Sequence, residues 1–520
     1  MRAIVLVALA LGAAPAAAAG DALLRNGDFE KGGKGGFPGW EPAGPRASKA
    51  PAFVKGEGPH GGQGCATIEA FGGGYTSLTQ VIESPPDGTT VVRLTGRVRA
   101  DAPGTSACLL LLFYDPGKPD EERLHESARI ATTGAWREVE IEAAVPPGAK
   151  KWMVRCGLYG AGRASFDDVT LDCSKEKLDG VDVTLAVAHG QYFVVPAGKG
   201  PEPWVQLSIP FPFEGQTPLA IRVESEPPDA VQRLEVRKER ENRPLRVVLK
   251  PTGSKDRIRL RVHTVTLIRD RPLSDGADVP LTAAAQLPKE AKEQLQAAPG
   301  VDVKAKEIAE AARQLRRTDL HALMTDLAKL VQARVRFGSG APTQGAQECF
   351  AAGKAVCTGH ANLAAALCIA AGVPARILAS TQAEGRTQEH YIIEVWTKKL
   401  GWSRMESTMS AFPWADSKNL ILRIVYPDSH RSPIDVPLYV ETGNAATGGF
   451  DPGPGDECWQ SADTLGRAVL DRGEVEKLEV AARKAFEALA AKPAAGPRAR
   501  LAPDGNGLSD RTRRFLEKIE

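Results

Sequence analysis

Several common classes are excluded by what this chain has little of. Eight cysteines in 520 residues fall far short of a disulfide scaffold, so hydrophobic cores must hold the fold. Neither sign of charge dominates: 66 Lys and Arg stand against 64 Asp and Glu. No global field therefore draws the protein onto nucleic acid or an anionic membrane. Past the N-terminus no apolar run approaches the roughly 20 residues that span a bilayer. A P-loop, a Gly-rich dinucleotide fingerprint and internal repeats are missing too. What is abundant is glycine (52) and proline (38), together about one residue in six against roughly one in eight in ordinary chains. With 42% hydrophobic residues, that excess excludes wholesale disorder and points to turn-rich β domains. The length suggests roughly three to four of them.

The N-terminus sets the expected compartment. Met1-Arg2 is a positive end, Ala3 to Leu11 an apolar run, and Ala17-Ala18-Ala19 a small-residue cleavage site, the pattern of a secretory signal. Residues 1–19 are expected to be removed, with the mature chain starting near Gly20 and no membrane span remaining. A secreted or periplasmic protein meets an oxidising environment, where thiols can pair.

From residue 20 to about 175, short alternating runs (Tyr75 to Ile82, Thr90 to Arg99, Cys108 to Tyr114, Trp136 to Ala144, Trp152 to Leu158, Ser165 to Leu171) are split by Gly/Pro-rich turns, which reads as an antiparallel sandwich. Asn26-Gly27-Asp28-Phe29-Glu30, Gly39-Trp40, Thr133 to Arg137 and Ser165-Phe166-Asp167-Asp168-Val169 resemble the first, middle and last strands of carbohydrate-binding jelly-roll modules. The resemblance implies that the opening and closing strands lie side by side and hold a structural calcium, which makes Glu30 and Asp167 its candidate ligands. Oxygen donors suit that hard cation; solvated strand-end carboxylates are the plainer alternative. Trp40, Tyr75 and Tyr114 are candidates to stack on a sugar, although an aromatic in a sandwich is more often core. The four cysteines of this zone allow up to two disulfides.

Residues 180–285 form a second β zone: Val181 to Ala188, Tyr192 to Val195, Trp204 to Ile209, Leu219 to Ser225, Leu234 to Arg237, Leu245 to Leu249 and Arg257 to Leu267. His189 and His263 read as ordinary strand histidines. Between Val303 and Ala333, apolar residues at helical spacing predict two amphipathic helices.

Chemistry concentrates in residues 290–445. Ala355-Val356-Cys357-Thr358-Gly359-His360 opens an Ala/Leu-rich helix that ends at Gly372, with Pro374 just beyond. Cys357 is thus placed at a helix N-terminus, where the helix dipole and free backbone N–H groups favour a thiolate and would face an oxyanion. His390 opens the strand His390 to Trp396, and a turn over Lys398-Lys399 leads to Gly401 to Glu406. Pairing Trp396 with Leu400 would set His390 directly opposite Glu406, with Cβ atoms roughly 5 Å apart. A thiol, an imidazole and a carboxylate so arranged form a nucleophile, its base and the group that orients the base.

Val356-Cys357 with its helix and Gly372-Val373-Pro374-Ala375-Arg376, then His390 to Trp396, then Gly401-Trp402 with an acid four residues on, resemble the transglutaminase-like superfamily, the papain-fold branch. The resemblance spans roughly residues 300–425 and implies Cys357 as nucleophile, His390 as general base then acid, and Glu406 as orienting residue, acting on peptide amides or Gln side chains without a catalytic cofactor. The departures are Glu406, one methylene longer than the usual Asp, and His360, where an aromatic is common. No Trp shortly upstream of Cys357 supplies an oxyanion donor; Gln344 and Gln347 are the candidate replacements, although each reads better as a surface residue. A shared zinc is excluded, since Cys357 and Cys368 are about 16 Å apart along one helix. A disulfide from Cys349 remains open, with Cys458 a possible partner.

Residues 446–520 read as a C-terminal extension: a helix over 462–491, a linker to about 503, then a charged end. The expected protein is therefore multidomain, with an N-terminal jelly roll (20–175), a middle β-sandwich-like domain (180–285), an α+β papain-like core (290–445) and the extension (446–520). Its expected function is a secreted cysteine enzyme that cleaves or transfers amides through a thioester, acting on a peptide or protein, with polysaccharide or glycoconjugate as a further candidate partner. A catalytically inactive peptide- or glycan-binding scaffold and a peptide N-glycanase-like activity are the alternatives.

Overall fold

The computed structural model describes residues 23–519 apart from 32–35, 44–51, 56–57, 60–63, 71–74, 102–105, 115–123, 132–133, 147, 160, 176–179, 197–201, 252–256, 270–276, 299, 316, 339–343, 383–388, 409–411, 413–418, 427–439, 444, 448–458 and 504–506. The expected signal segment and Cys458 lie outside the described residues.

Alternation of buried and half-buried positions, as along Val91–Ala100, builds an N-terminal body of two facing sheets. One runs in the order Glu41–Ala43, Tyr75–Ile82, Lys151–Tyr159, Ser106–Tyr114, Leu124–Ala131. The other contains Ala52–Lys55, Gly64–Ala70, Gly162–Ser174, Val91–Ala100 and Arg137–Ala144. Ile68, Leu94, Leu109, Leu111, Val154 and Phe166 are wholly buried in the core of this body.

The second sheet continues beyond this body. After Arg137–Ala144 come Trp459–Asp471, Gly180–Pro196, Ile258–Arg269, Gln216–Glu226 and Arg498–Arg500; with Ala445–Thr447, which also pairs Gly180–Pro196, one sheet of 11 strands links the two β zones. The C-terminal extension therefore differs from expectation. Instead of one helix over 462–491, Trp459–Asp471 is a strand and Arg472–Ala491 a helix. Leu465, Val469 and Leu470 suit either period, and neighbouring strands on both sides settle the choice. Asp471 makes the break by capping the helix, accepting from the Glu474 N–H at 3.0 Å. The expected linker is also paired: Ala494–Ala495 joins Val231–Val236, and Arg498–Arg500 joins Gln216–Glu226.

Gly180–Pro196 is one strand where two were expected. Gly190 permits this, since a Cβ there would sit 2.6 Å from the Tyr192 hydroxyl oxygen. His189 and His263 are more than ordinary strand residues. They face each other in register with Nδ1 atoms 2.7 Å apart, and Asp463 Oδ2 lies 3.2 Å from His189 Nε2, which joins three adjacent strands.

The remaining unit places the helices Lys306–Arg313, Leu320–Arg334, Ala346–Ala352 and Cys357–Ala370 with a sheet of order Gly401–Met405, Glu389–Thr397, Ala375–Gln382, Asn419–Val425. Thr358 to Ile369 are all buried, as an apolar helix inside a domain should be. The sheet is covered on both faces. Tyr391, Ile393 and Val395 pack with this helix, whereas Leu378, Ile392, Ile421 and Ile424 join the core of the middle β unit. Two side-chain amides close its outer edge: Gln216 spans the backbone of Ile421 (2.7 and 2.9 Å) and Asn242 that of Ile424 (2.8 and 3.0 Å). An edge strand so capped cannot recruit another chain. None of the seven described cysteines is in a disulfide, and no described helix is long and apolar enough to cross a membrane.

Candidate active site

Three elements converge on the thiol. Cys357 begins its helix after Val356 at the N-cap. The backbone leading to it is fixed by Gln344, whose Oε1 accepts from the Val356 N–H at 2.9 Å and whose carbonyl accepts from Asn362 Nδ2 at 2.8 Å. Gln344 is buried and adopts φ +53°, so its expected surface role is corrected. A left-handed backbone at a non-glycine residue costs energy and persists because these bonds hold it. Nothing in the local sequence announces that turn.

His390 donates to or accepts from both neighbours: its side chain hydrogen-bonds Cys357, and its Nε2 hydrogen-bonds Glu406 Oε2. Its backbone is anchored by Ser380, whose Oγ donates to the His390 carbonyl at 3.0 Å. The strand pairing differs from expectation by two residues. Thr397 faces Gly401 and Ile393 faces Met405, which by continuation puts Glu406 opposite Ile392. A slip of two keeps every side chain on its face, so Glu406 still meets His390, now diagonally. Its other oxygen accepts from the Thr408 N–H at 2.8 Å.

The electrostatics follow from this geometry. Burial alone would depress the His390 pKa, but its bonds to Cys357 and Glu406 prevail and push it up to about 10. Burial would raise Glu406; His390 and Thr408 instead hold it below the ordinary carboxylate value. An imidazolium is thereby favoured between the thiol and an ionised carboxylate. His360, one turn past Cys357, is 3% exposed. Burial pulls it below the usual histidine value against the nearby Glu406 and the backbone of Arg336 and Ser407, so it is a neutral packed ring. Cys349 and Cys368 are buried thiols pushed up to about 12 by desolvation.

A second buried set braces the sheet. Glu394, wholly buried, bonds Arg376 Nη2 at 2.7 Å and Arg404 Nε at 2.9 Å. Arg376 also reaches Glu241 of the middle unit at 3.2 Å and stacks over Trp402 at 4.1 Å.

Glu30 and Asp167 are brought together. Val169 N–H donates to the Gly27 carbonyl at 2.8 Å, an approach so close that a Cβ on Gly27 would lie 1.9 Å from Val169 O. Burial, with Asp168, Glu30 and Asp28 adding repulsion, pushes Asp167 up to about 7 against a stabilising Asp168 N–H. Among the described residues no group of three or more His, Cys, Asp or Glu side chains is arranged to hold a metal. The pair nevertheless offers hard oxygen donors whose mutual repulsion a cation would relieve. Trp40 is core: it packs on Phe29 at 5.1 Å and donates to the Arg25 carbonyl at 2.9 Å. Tyr75 and Tyr114 pack, half-buried, against Cys108, Leu110 and Leu112 on the outer face of the first sheet.

A thiol at a helix start bonded to a histidine that is in turn bonded to a carboxylate defines a site of the cysteine-dependent enzyme class. Residues 305–407 match the family model of the transglutaminase-like superfamily, and the chain carries that domain. Among solved structures, a candidate cysteine protease from Cytophaga hutchinsonii matches at 12% identity and TM-score 0.41, covering 56% of this chain and 91% of that one. TmCBM61, solved with β-1,4-galactotriose, matches at 21% identity and TM-score 0.23, covering 30% of this chain and 100% of its own. A family 11 carbohydrate-binding module of a Clostridium thermocellum cellulosomal cellulase matches at 15% identity and TM-score 0.22, covering 29% and 94%. No curated protein matches.

Proposed function

We propose that this protein is a secreted cysteine enzyme that opens amide bonds of peptides or Gln side chains through a thioester. The supporting observation is the continuous hydrogen-bonded chain Cys357, His390, Glu406 drawn from a helix start and two strands. The Cys357 thiolate attacks the amide carbonyl carbon while the first-turn amides of its helix receive the oxyanion. The C–N bond breaks, the His390 imidazolium gives its proton to the leaving amine, and a thioester remains. Water then attacks the thioester carbon and passes a proton to His390, which returns it to the thiol as the acid leaves. Glu406 orients the imidazole throughout. Hydrolysis is preferred to crosslinking in this reading because the sequence identifies no amine site that excludes water. Catalysis on this scheme needs no cofactor, and the core would be papain-like in arrangement.

Incubation with iodoacetamide at neutral pH, followed by mass mapping, is expected to label Cys357 faster in the native than in the denatured protein, with turnover abolished in Cys357→Ala. Equal labelling and an active Cys357→Ala would remove the enzyme reading. For the N-terminal body, the reading is a jelly-roll glycan-binding module stabilised by calcium at Glu30 and Asp167. Chelation with EGTA is expected to lower its melting temperature and calcium to restore it; no change in either direction would remove the ion.

A further inference from the structure

His390 stands near the end of its strand, and its two neighbours hold it unequally. The register with Gly401–Met405 runs from Thr397 opposite Gly401 to Ile393 opposite Met405, three residues short of the histidine. On the other side the register continues, and Ser380 is directly opposite His390. Ser380 is 1% exposed. Its Oγ donates to the His390 carbonyl at 3.0 Å and lies 3.2 Å from Asn419 Oδ1, on the next strand over. Asn419 is 2% exposed, so these groups meet away from water, where hydrogen bonds are stronger.

An irregularity in the sheet brings Asn419 to this place. Ile377, Leu378 and Ala379 face Val425, Ile424 and Arg423, but Ser380 faces Ile421 and Gln382 faces Asn419. Leu422 is therefore an extra residue, a β-bulge. Continued without it, the register would set Ser380 against Leu422 and carry Asn419 one place further, onto the opposite face, since a slip of one residue reverses every side chain. With it, Asn419, Ser380 and His390 share a face. The bulge interrupts the ladder, and a buried polar line to the histidine backbone is what the interruption makes possible. A hydroxyl has one proton to give and can also accept, while a carboxamide exchanges its oxygen and its N–H group on a half-turn. With the Asn419 N–H turned towards Ser380 Oγ, each group donates to the next and the His390 carbonyl is the last acceptor.

We propose that Ser380 and Asn419 are positioning residues for His390: Asn419 donates to the Ser380 hydroxyl, Ser380 donates to the His390 carbonyl, and the imidazole is thereby kept between Cys357 and Glu406. This rests on Cys357 and His390 being the reacting pair.

The test is the rate of Cys357 alkylation by iodoacetamide at pH 6 and pH 9, mapped by mass spectrometry. Alkylation needs the thiolate. At pH 6 an ordinary thiol, with a pKa of about 8.5, is almost wholly protonated, so the rate there reads the help of His390; at pH 9 an accessible thiol ionises unaided. Ser380→Ala is expected to slow alkylation about tenfold at pH 6, the weight of one buried hydrogen bond, and less than about twofold at pH 9. Ser380→Thr, which keeps the hydroxyl, should restore the pH 6 rate, and Asn419→Leu should lower it about threefold. A change in packing alone would not depend on pH. If Ser380→Ala keeps the native ratio of the two rates, or Asn419→Leu leaves that ratio unchanged or raises it, the positioning role is overturned and the nucleophile stands. Should the added methyl of Ser380→Thr prevent folding, the Ser380→Ala and Asn419→Leu ratios decide. If the unaltered native protein is alkylated at Cys357 no faster at pH 6 than the denatured chain, the reacting-pair reading itself falls, and the proposal with it.

Discussion

At the scale of single residues, the carboxylate of the site turns on one methylene. The register that pairs Thr397 with Gly401 sets Glu406 two positions from His390 along the strands, a diagonal of about 7 Å between backbones where direct opposition would give about 5 Å. The longer Glu side chain spans that diagonal, so the departure from Asp noted in the sequence is matched by the pairing. Glu406→Asp should therefore fail to reach the imidazole: turnover is expected to fall by about 100-fold or more with little change in melting temperature, and undiminished turnover would refute the diagonal role. His390 carries a stability signature as well. Its folded pKa of about 10 lies above its unfolded value of about 6.5, so the folded state holds a proton that the unfolded chain releases. The resulting stabilisation is fully present below about pH 6.5 and is lost as pH rises through about 10. Urea unfolding at pH 7 and pH 10 should show this decline, and His390→Ala should flatten it.

Elements are held in place by buried polar groups that local patterns do not reveal. Glu394 lies between Arg376 and Arg404 on three neighbouring strands, and Arg376 continues to Glu241. Neutralising the central acid would leave the Arg404 guanidinium without its carboxylate and Arg376 with only the half-exposed Glu241, so Glu394→Gln is expected to cost about 3 kcal/mol, read by urea denaturation; a loss below about 1 kcal/mol would show that the network adds little to stability. The Cys357 helix and the His390 strand are legible in the sequence, because a Gly-bounded apolar run and a β-rich run each have one favoured period. The strand/helix division after Trp459 is poorly legible, because Leu465, Val469 and Leu470 satisfy both periods until the neighbours of Trp459–Asp471 are known. Gln344 and the Gln216 and Asn242 clamps were illegible for a similar reason. Each acts on backbone far away in sequence.

For the whole molecule, the strand Trp459–Asp471 matters most. It fills the position between Arg137–Ala144 of the N-terminal body and Gly180–Pro196 of the middle unit, while the helix after it buries Val475, Leu478, Ala482 and Phe486 in the middle core. Removing residues 446–520, which a modular reading would treat as dispensable, should expose the strand edges of Arg137–Ala144, Gly180–Pro196, Gln216–Glu226 and Val231–Val236 and part of that core. The truncated chain is expected in the insoluble fraction, and a soluble product with an unchanged melting temperature would contradict this account. The middle unit likewise acts as the floor under the four-stranded sheet that carries His390, since Leu378, Ile392, Ile421 and Ile424 join its core.

The sequence by itself determined the β-rich character, the helix that presents Cys357, and the order of thiol, imidazole and acid, because each is written in local composition, in the period of single elements or in chain order. Tertiary structure decided the register that makes Glu406 reach diagonally, the turn at Gln344 that fixes the approach to Cys357, the burial of the catalytic sheet on both faces, and the return of the C-terminal strand between the two β units. These depend on contacts between residues in different elements, from about a dozen to several hundred positions apart. Such contacts are chosen by the joint burial of apolar surface and the pairing of backbone groups, and neither is set until the elements meet.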